Sequence, residues 1–189
     1  AAIAQDNVFF TSHGANQALP YPGGPVGPPG VLHAERKRCL WEERLYERIC
    51  CVNYSRDVVL IPLSVAFGAD FRDMFVVRGL HRDKRGRLHP PSVDGRSVRF
   101  RYDGLDGVER TSLITFSDPP ARISGQRADY MYSLQPEGRL ELYLEIGVSS
   151  APTPGRERFR YAAARARWDM RARRRHGARI KSSGRLFNE

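Results

Sequence analysis

The sequence predicts a mainly β fold: an antiparallel β-sandwich over residues 31–150, preceded by a strand piece and a loop and followed by a basic helix. Three observations predict it. Turn-forming clusters recur at 53–57, 82–86, 90–95, 103–107, 117–120 and 135–138. Apolar residues alternate at period two between them, and the composition changes abruptly after residue 150. Short alternating runs between turn clusters are the pattern of antiparallel sheets with one buried face.

The elements follow in order. Residues 7–11 (NVFFT) read as a short strand. Residues 20–30 hold five Pro and four Gly in 11 positions, so they read as a loop: proline lacks the N–H that a helix or a central strand needs. In 58–67, Val59, Ile61, Leu63, Val65 and Phe67 share one face, and Pro62 marks that strand as an edge or a bulge. Val98, Phe100 and Tyr102 alternate with Arg99 and Arg101. In 139–148, Leu140, Leu142, Leu144, Ile146 and Val148 face one way while Glu141 and Glu145 face the other. Glu42, Glu43 and Glu47 with Arg44 and Arg48 read as ion pairs across strands on a solvated face. Beyond Pro152 and Pro154, residues 156–175 are rich in Ala and Arg and read as a helix. Its apolar stripe (Phe159, Ala163, Ala166, Met170) is thin, so it is expected to hold weakly to the domain and to dock on a partner.

Charge follows the same division. The chain of 189 residues has a net charge of +10, yet residues 1–150 hold 19 Lys and Arg against 18 Asp and Glu, whereas 151–189 hold 12 against 3. Basicity therefore belongs to the tail alone, and a nucleic-acid or acidic-partner role would rest on that helix. No aromatic interleaving or zinc knuckle accompanies it, which weakens that reading. No stretch reaches the roughly 20 apolar residues of a membrane span. The chain is expected to work in the cytoplasm, with Cys39, Cys50 and Cys51 as reduced, apolar-like thiols, because an odd count without CxxC supports neither a disulfide framework nor a zinc site.

The motifs of phosphate-binding loops, dinucleotide folds, zinc proteases, serine hydrolases and calcium loops do not occur, and neither a cofactor nor a metal is expected. His13, His81 and His89 read as isolated, solvated or hydrogen-bonded histidines. The densest polar string is FGADFRDMFVVRG at 67–79. Asp70 and Asp73 could serve as the acid and base of a glycoside hydrolase, since two carboxylates flanking a bond suffice. The stronger reading is a charge network with Arg72 and Arg78 that closes a connection between strands. Trp41, Tyr46 and Tyr54 read either as a sandwich edge or as a sugar-stacking platform, the latter making the chain a free-standing carbohydrate-binding module.

Several strings stand in an informative order: GVLHAER (30–36), LWEERLYERI (40–49), VNY (52–54), FGADFRDMFVVRG (67–79) and YDGLDGVER (102–110). Together they resemble the N-terminal β-domain of bacterial glycogen debranching enzymes of the amylo-α-1,6-glucosidase type. RIKSSGRLFNE (179–189) resembles the segment leading into the α/α-barrel of those proteins. The family's usual opening, with an Arg-Asp-Thr-Arg-like segment, is missing. The resemblance implies a non-catalytic domain of a glycoside hydrolase, with the catalytic carboxylates on a barrel outside this chain and none assignable here. It implies three parts: residues 1–30, the sandwich at 31–150, and a helical linker at 151–189. It also implies that the domain packs against the barrel and shapes its α-glucan cleft, with Asp70, Asp73 and Arg78 as cleft-lining or structural residues. The sequence leaves the oligomeric state open.

Overall fold

The computed structural model describes residues 2–3, 8–18 and 28–176. Among these described residues twelve strands and two helices follow one another: β1 (Ala2–Ile3), β2 (Phe9–Ala15), β3 (Leu32–Trp41), β4 (Arg44–Asn53), β5 (Val59–Ala66), α1 (Met74–Val77), β6 (Arg87–Leu88), β7 (Ser92–Asp94), β8 (Ser97–Asp103), β9 (Glu109–Phe116), β10 (Arg122–Ile123), β11 (Arg127–Leu134), β12 (Arg139–Gly147) and α2 (Arg156–His176). The predicted Pro/Gly loop lies mostly outside the described residues, as does 179–189.

Two antiparallel sheets face each other. The larger runs β1-β2-β3-β4-β12-β9-β8-β6, with β7 also paired to β8, and the smaller runs β10-β11-β5. The smaller sheet lies over part of one face of the larger. Between them sit Leu32, Ile49, Cys51, Ile61, Val98, Phe116, Tyr130, Leu142 and Leu144, all buried. Leu142 has no solvent exposure, so the alternation predicted in β12 delivers part of the core, and Phe116 of β9, also without exposure, adds to it. Pro62 falls on β5, which among the described residues pairs only with β11, and an edge strand can spare the missing donor.

The strand predicted at 7–11 runs instead as β2, and His13 lies within it rather than in a loop. The turn predicted at 90–95 contains the short strand β7. A hairpin joins β3 to β4 through Glu42 (φ 46) and Glu43 (φ 57), the left-handed pair that matches the twist of its strands. These two glutamates are therefore a turn and not part of a strand ladder.

The other outcome that departs from expectation is a third layer. α2 lies on the outer face of the large sheet and buries Phe159, Ala162, Ala163 and Ala166 against Phe9, Cys39, Tyr46 and Tyr143. The predicted stripe exists, but it closes this chain's own second core. Three alanines suffice because a small residue lets the helix approach the sheet closely enough for aromatic rings of the sheet to fill the layer.

Asn53 ties the layers' loops together with no solvent exposure. Its amide donates to the carbonyls of Asp57 (2.8 Å), Leu134 (3.1 Å) and Gln135 (3.1 Å), while its Oδ1 accepts from the Ser55 N–H and hydroxyl.

Candidate functional site

The 67–80 connection between the sheets carries the densest polar string, and its geometry begins at the core. Phe67 packs on Phe100 and Phe116, with ring centroids 6.3 and 5.9 Å away. The chain then turns at Phe71, whose φ of 48° is left-handed. Such a conformation costs a non-glycine residue about 1–2 kcal/mol, and here it lays the Phe71 ring flat on Tyr102 at 5.4 Å and 9°. Tyr102 in turn accepts at its hydroxyl from the Gly86 N–H at 2.7 Å. Arg85 donates to the Asp70 carbonyl, also at 2.7 Å. Phe71 and the Gly86 N–H thereby both meet Tyr102 of β8.

Asp73 is the N-cap of α1: its Oδ1 accepts from the N–H groups of Phe75 (2.9 Å) and Val76 (3.0 Å), and its Oδ2 pairs with Arg82 at 3.0 Å. The Val76 N–H first, with Arg82 and the Phe75 N–H behind it, holds its carboxyl below the usual range. Asp70 accepts from the Arg72 N–H at 3.1 Å and pairs with the Arg72 guanidinium at 3.3 Å. Arg78 closes α1, its N–H bonding the Met74 carbonyl. The expected network is thus split: Arg72 serves Asp70, Arg82 serves Asp73, and Arg78 contributes through its backbone. The donors that Asp73 satisfies lie on an exposed turn rather than a buried one. A general acid needs a raised pKa near its working pH. Asp73 has moved in the opposite direction.

Around this scaffold Met74 (57% exposed), Phe75 (52%), Val77 (70%) and Leu80 (54%) point to solvent. Sequence reasoning singled out the string but missed Tyr102, Arg82 and Arg85 as its holders. These contacts join residues 9 or more positions apart, and periodicity carries no signal of them.

Of the two readings of Trp41, Tyr46 and Tyr54, the geometry favours packing over a shared stacking surface. Tyr46 is buried beneath α2 and has no free ring face. Tyr54 is exposed just past the far end of β4, about 26 Å along the strand from Tyr46 at 3.3 Å per residue. Trp41 is half-buried and meets Tyr161 of α2 edge-on at 5.4 Å. Glu47, expected on a solvated face, is buried on the inner face, where Arg36 and Arg38 clasp it at 2.6 and 3.0 Å. Its parity with Ile49 and Cys51 places it there, because the turn at 42–43 sets the register.

A groove of about 1020 Å³ opens between the β3–β4 hairpin and the C-terminal half of α2, walled by Phe10, Leu40, Trp41 and Met170. It holds no nucleophile beside a base. Cys39 borders it, but burial pushes that thiol up to about 11 and leaves it inert. All three cysteines are free and buried. Among the described residues no group of three or more His, Cys, Asp or Glu is arranged to hold a metal ion. No described helix is long and apolar enough to cross a membrane. His89 is hydrogen-bonded, to Asp103 at 2.6 Å and Arg101 at 3.1 Å.

Comparison with known proteins adds the following. The profile of the N-terminal domain of some glycogen debranching enzymes matches residues 1–145. No curated protein matches the chain. Among solved structures 11 chains match. One of these, described as a kojibiose phosphorylase from the human microbiome, is 13% identical with a TM-score of 0.45. That match covers 74% of this chain and 19% of the other, so this chain spans about a fifth of that protein's length.

Proposed function

This chain belongs to the family of N-terminal domains of glycogen debranching enzymes, and on that premise we propose that it is the non-catalytic domain of an amylo-α-1,6-glucosidase-type glycoside hydrolase of the cytoplasm. In this reading the sandwich at 31–150 packs against an α/α-barrel catalytic domain and walls one side of its α-glucan cleft. Residues 151–189 form the link toward that barrel. Asp70, Asp73 and Arg78 shape the wall and transfer no proton. Three free thiols accord with a reducing compartment.

One observation carries the proposal. Met74, Phe75, Val77 and Leu80 are exposed together on a connection that Phe71, Tyr102, Gly86 and Arg85 hold in place. Four exposed apolar side chains within seven residues of a held loop accord with a surface meant for another domain. The carboxylates beside it are already committed to a helix cap and to ion pairs, which leaves them a structural task.

The test adds the purified chain to the barrel portion of a glycogen debranching enzyme that lacks its own N-terminal domain. Association that Phe75→Asp weakens at least about tenfold is the expected result, since burying a charge at such a contact is costly. The chain alone should hydrolyse no maltodextrin. Failure to associate, or turnover that disappears in Asp70→Asn or Asp73→Asn, would overturn the reading.

A further inference from the structure

On the outer face of the large sheet, β2 and β3 bring two histidines together. Pairing sets His13 opposite Glu35 and His33 opposite Ala15, so alternation places His13, His33 and Glu35 on one face. The Nδ1 of His13 lies 3.2 Å from the Nε2 of His33. The rings are 5.3 Å apart and inclined by 24°. Glu35 beside them is committed to Arg48, which donates to its Oε1.

From this pair we propose a metal site: His13 and His33 together bind one late first-row divalent cation, of the Cu²⁺, Ni²⁺ or Zn²⁺ class. Imidazole nitrogens bind such ions at about 2.0–2.1 Å, and two bonds of that length across the observed gap meet at about 100°, close to tetrahedral. Two neighbouring strands of a sheet fix that gap without ordering a loop, so binding costs little conformational entropy. The remaining positions stay with water, because Glu35 is neutralised by Arg48 and offers no third ligand. Selection follows ligand type: two neutral imidazoles favour Cu²⁺ over Ni²⁺ and Zn²⁺, and disfavour Mg²⁺ and Ca²⁺. The site is independent of the debranching-enzyme reading, since it lies on a different strand pair from the 67–80 connection.

Calorimetric titration of the tag-free chain with CuCl₂, NiCl₂ and ZnCl₂ tests it, with electron paramagnetic resonance of the Cu²⁺ complex as a second readout. One saturable site per chain is expected, with the copper spectrum showing nitrogen ligation. His13→Ala and His33→Ala should each weaken binding by at least the about 10–100-fold that loss of a mere outer-shell partner costs. His33→Gln covers the case in which alanine disturbs β3, and His81→Ala should change nothing, since His81 is exposed and remote in sequence. Absence of saturable one-site binding would overturn the proposal. So would binding undiminished in the His13 and His33 variants, which would leave the 3.2 Å contact as a plain imidazole–imidazole hydrogen bond.

Discussion

Arg158 of α2 grips Glu145 of β12 through two parallel bonds, Nε to Oε1 at 2.8 Å and Nη2 to Oε2 at 2.8 Å. Glu145 is almost fully buried, and Arg44 stands behind it with Nε at 3.8 Å. The guanidinium of Arg44 also donates to the Ser149 carbonyl at 2.8 Å, at the start of the segment leading to α2. Gly147 leaves room for it, because a Cβ there would come within 2.7 Å of the Arg44 guanidinium. The third layer is therefore aligned by one forked ion pair and sealed by Phe159 and three alanines.

Arg158→Ala should loosen α2 selectively. Removing one partner of a buried pair strands the other charge at about 3–5 kcal/mol, and the Arg158 side chain is 31% exposed, so a smaller loss of about 2 kcal/mol is expected. Hydrogen exchange should quicken across residues 156–166 and stay slow in β12, whose protection comes from the sandwich core. Arg158→Lys should recover only part of the loss, since an ammonium cannot make the forked contact. Equal exchange in wild type and Arg158→Ala would show that apolar packing alone seats the helix.

The cysteines give a prediction at the other end of the pH scale. Burial pushes Cys39 and Cys51 up to about 11, and raises Cys50 as well. A thiol that stays protonated in the fold but ionises in the unfolded chain subtracts stability once pH passes its unfolded value, about 8.5. The melting temperature should therefore fall above about pH 8.5. At pH 8 in native buffer none of the three thiols should react with Ellman's reagent, and all three should react in guanidinium. Rapid labelling of the native chain would contradict the burial.

Much of this architecture was legible because it follows from alternation. The inward faces of β8 and β12, the edge position of Pro62 and the helix at the C-terminal side are each written in local spacing. Glu47 shows how parity was available yet overridden by residue type. It shares a face with Ile49 and Cys51, but residue type alone points a glutamate to water, and the two arginines that offset its desolvation lie on another strand. Tyr46 is covered in a way the sequence does not announce: nothing local to β4 signals that α2 will lie on it. The Asp70–Asp73 string stood out in the sequence, whereas its holders, Tyr102 and Arg82, are set by tertiary contact.

Acid should destabilise the domain through several exposed carboxylates at once. The Asp103 carboxyl is held low by its hydrogen bond to His89, Asp129 by the Ser64 hydroxyl and Arg127, Asp106 by Arg110, and Asp73 by the Val76 N–H. Each favours the fold while ionised, so that contribution is complete above the unfolded carboxylate value, about 3.9, and is lost as pH falls through the lower folded values. The melting temperature should be level between about pH 5 and 7 and drop below about pH 4. Asp106→Asn should make the acid-side drop shallower. A drop that begins near pH 6 would point to histidine instead.

Gly86→Ala tests whether the 67–80 connection is held from β8. The backbone there passes so close to its neighbours that a Cβ would fall 2.0 Å from the Asp103 carbonyl oxygen and 2.8 Å from the Tyr102 ring. The first is backbone and cannot swing aside, so the Gly86 segment must move and its 2.7 Å bond to the Tyr102 hydroxyl must break. Forcing extra atoms into a packed contact costs about 1–3 kcal/mol. The effect should be local: faster exchange at 70–80, unchanged exchange in β4 and β12, and a Phe71 ring no longer held flat on Tyr102. Tyr102→Phe separates the contributions, because it keeps the stacked ring and deletes only the hydroxyl; it should cost about 1 kcal/mol and loosen residue 86 more than residue 71. If Gly86→Ala leaves exchange at 70–80 unchanged, then Phe71 and Arg85 hold the connection without that clip, and the exposed patch of Phe75 and Val77 is positioned from the core side alone.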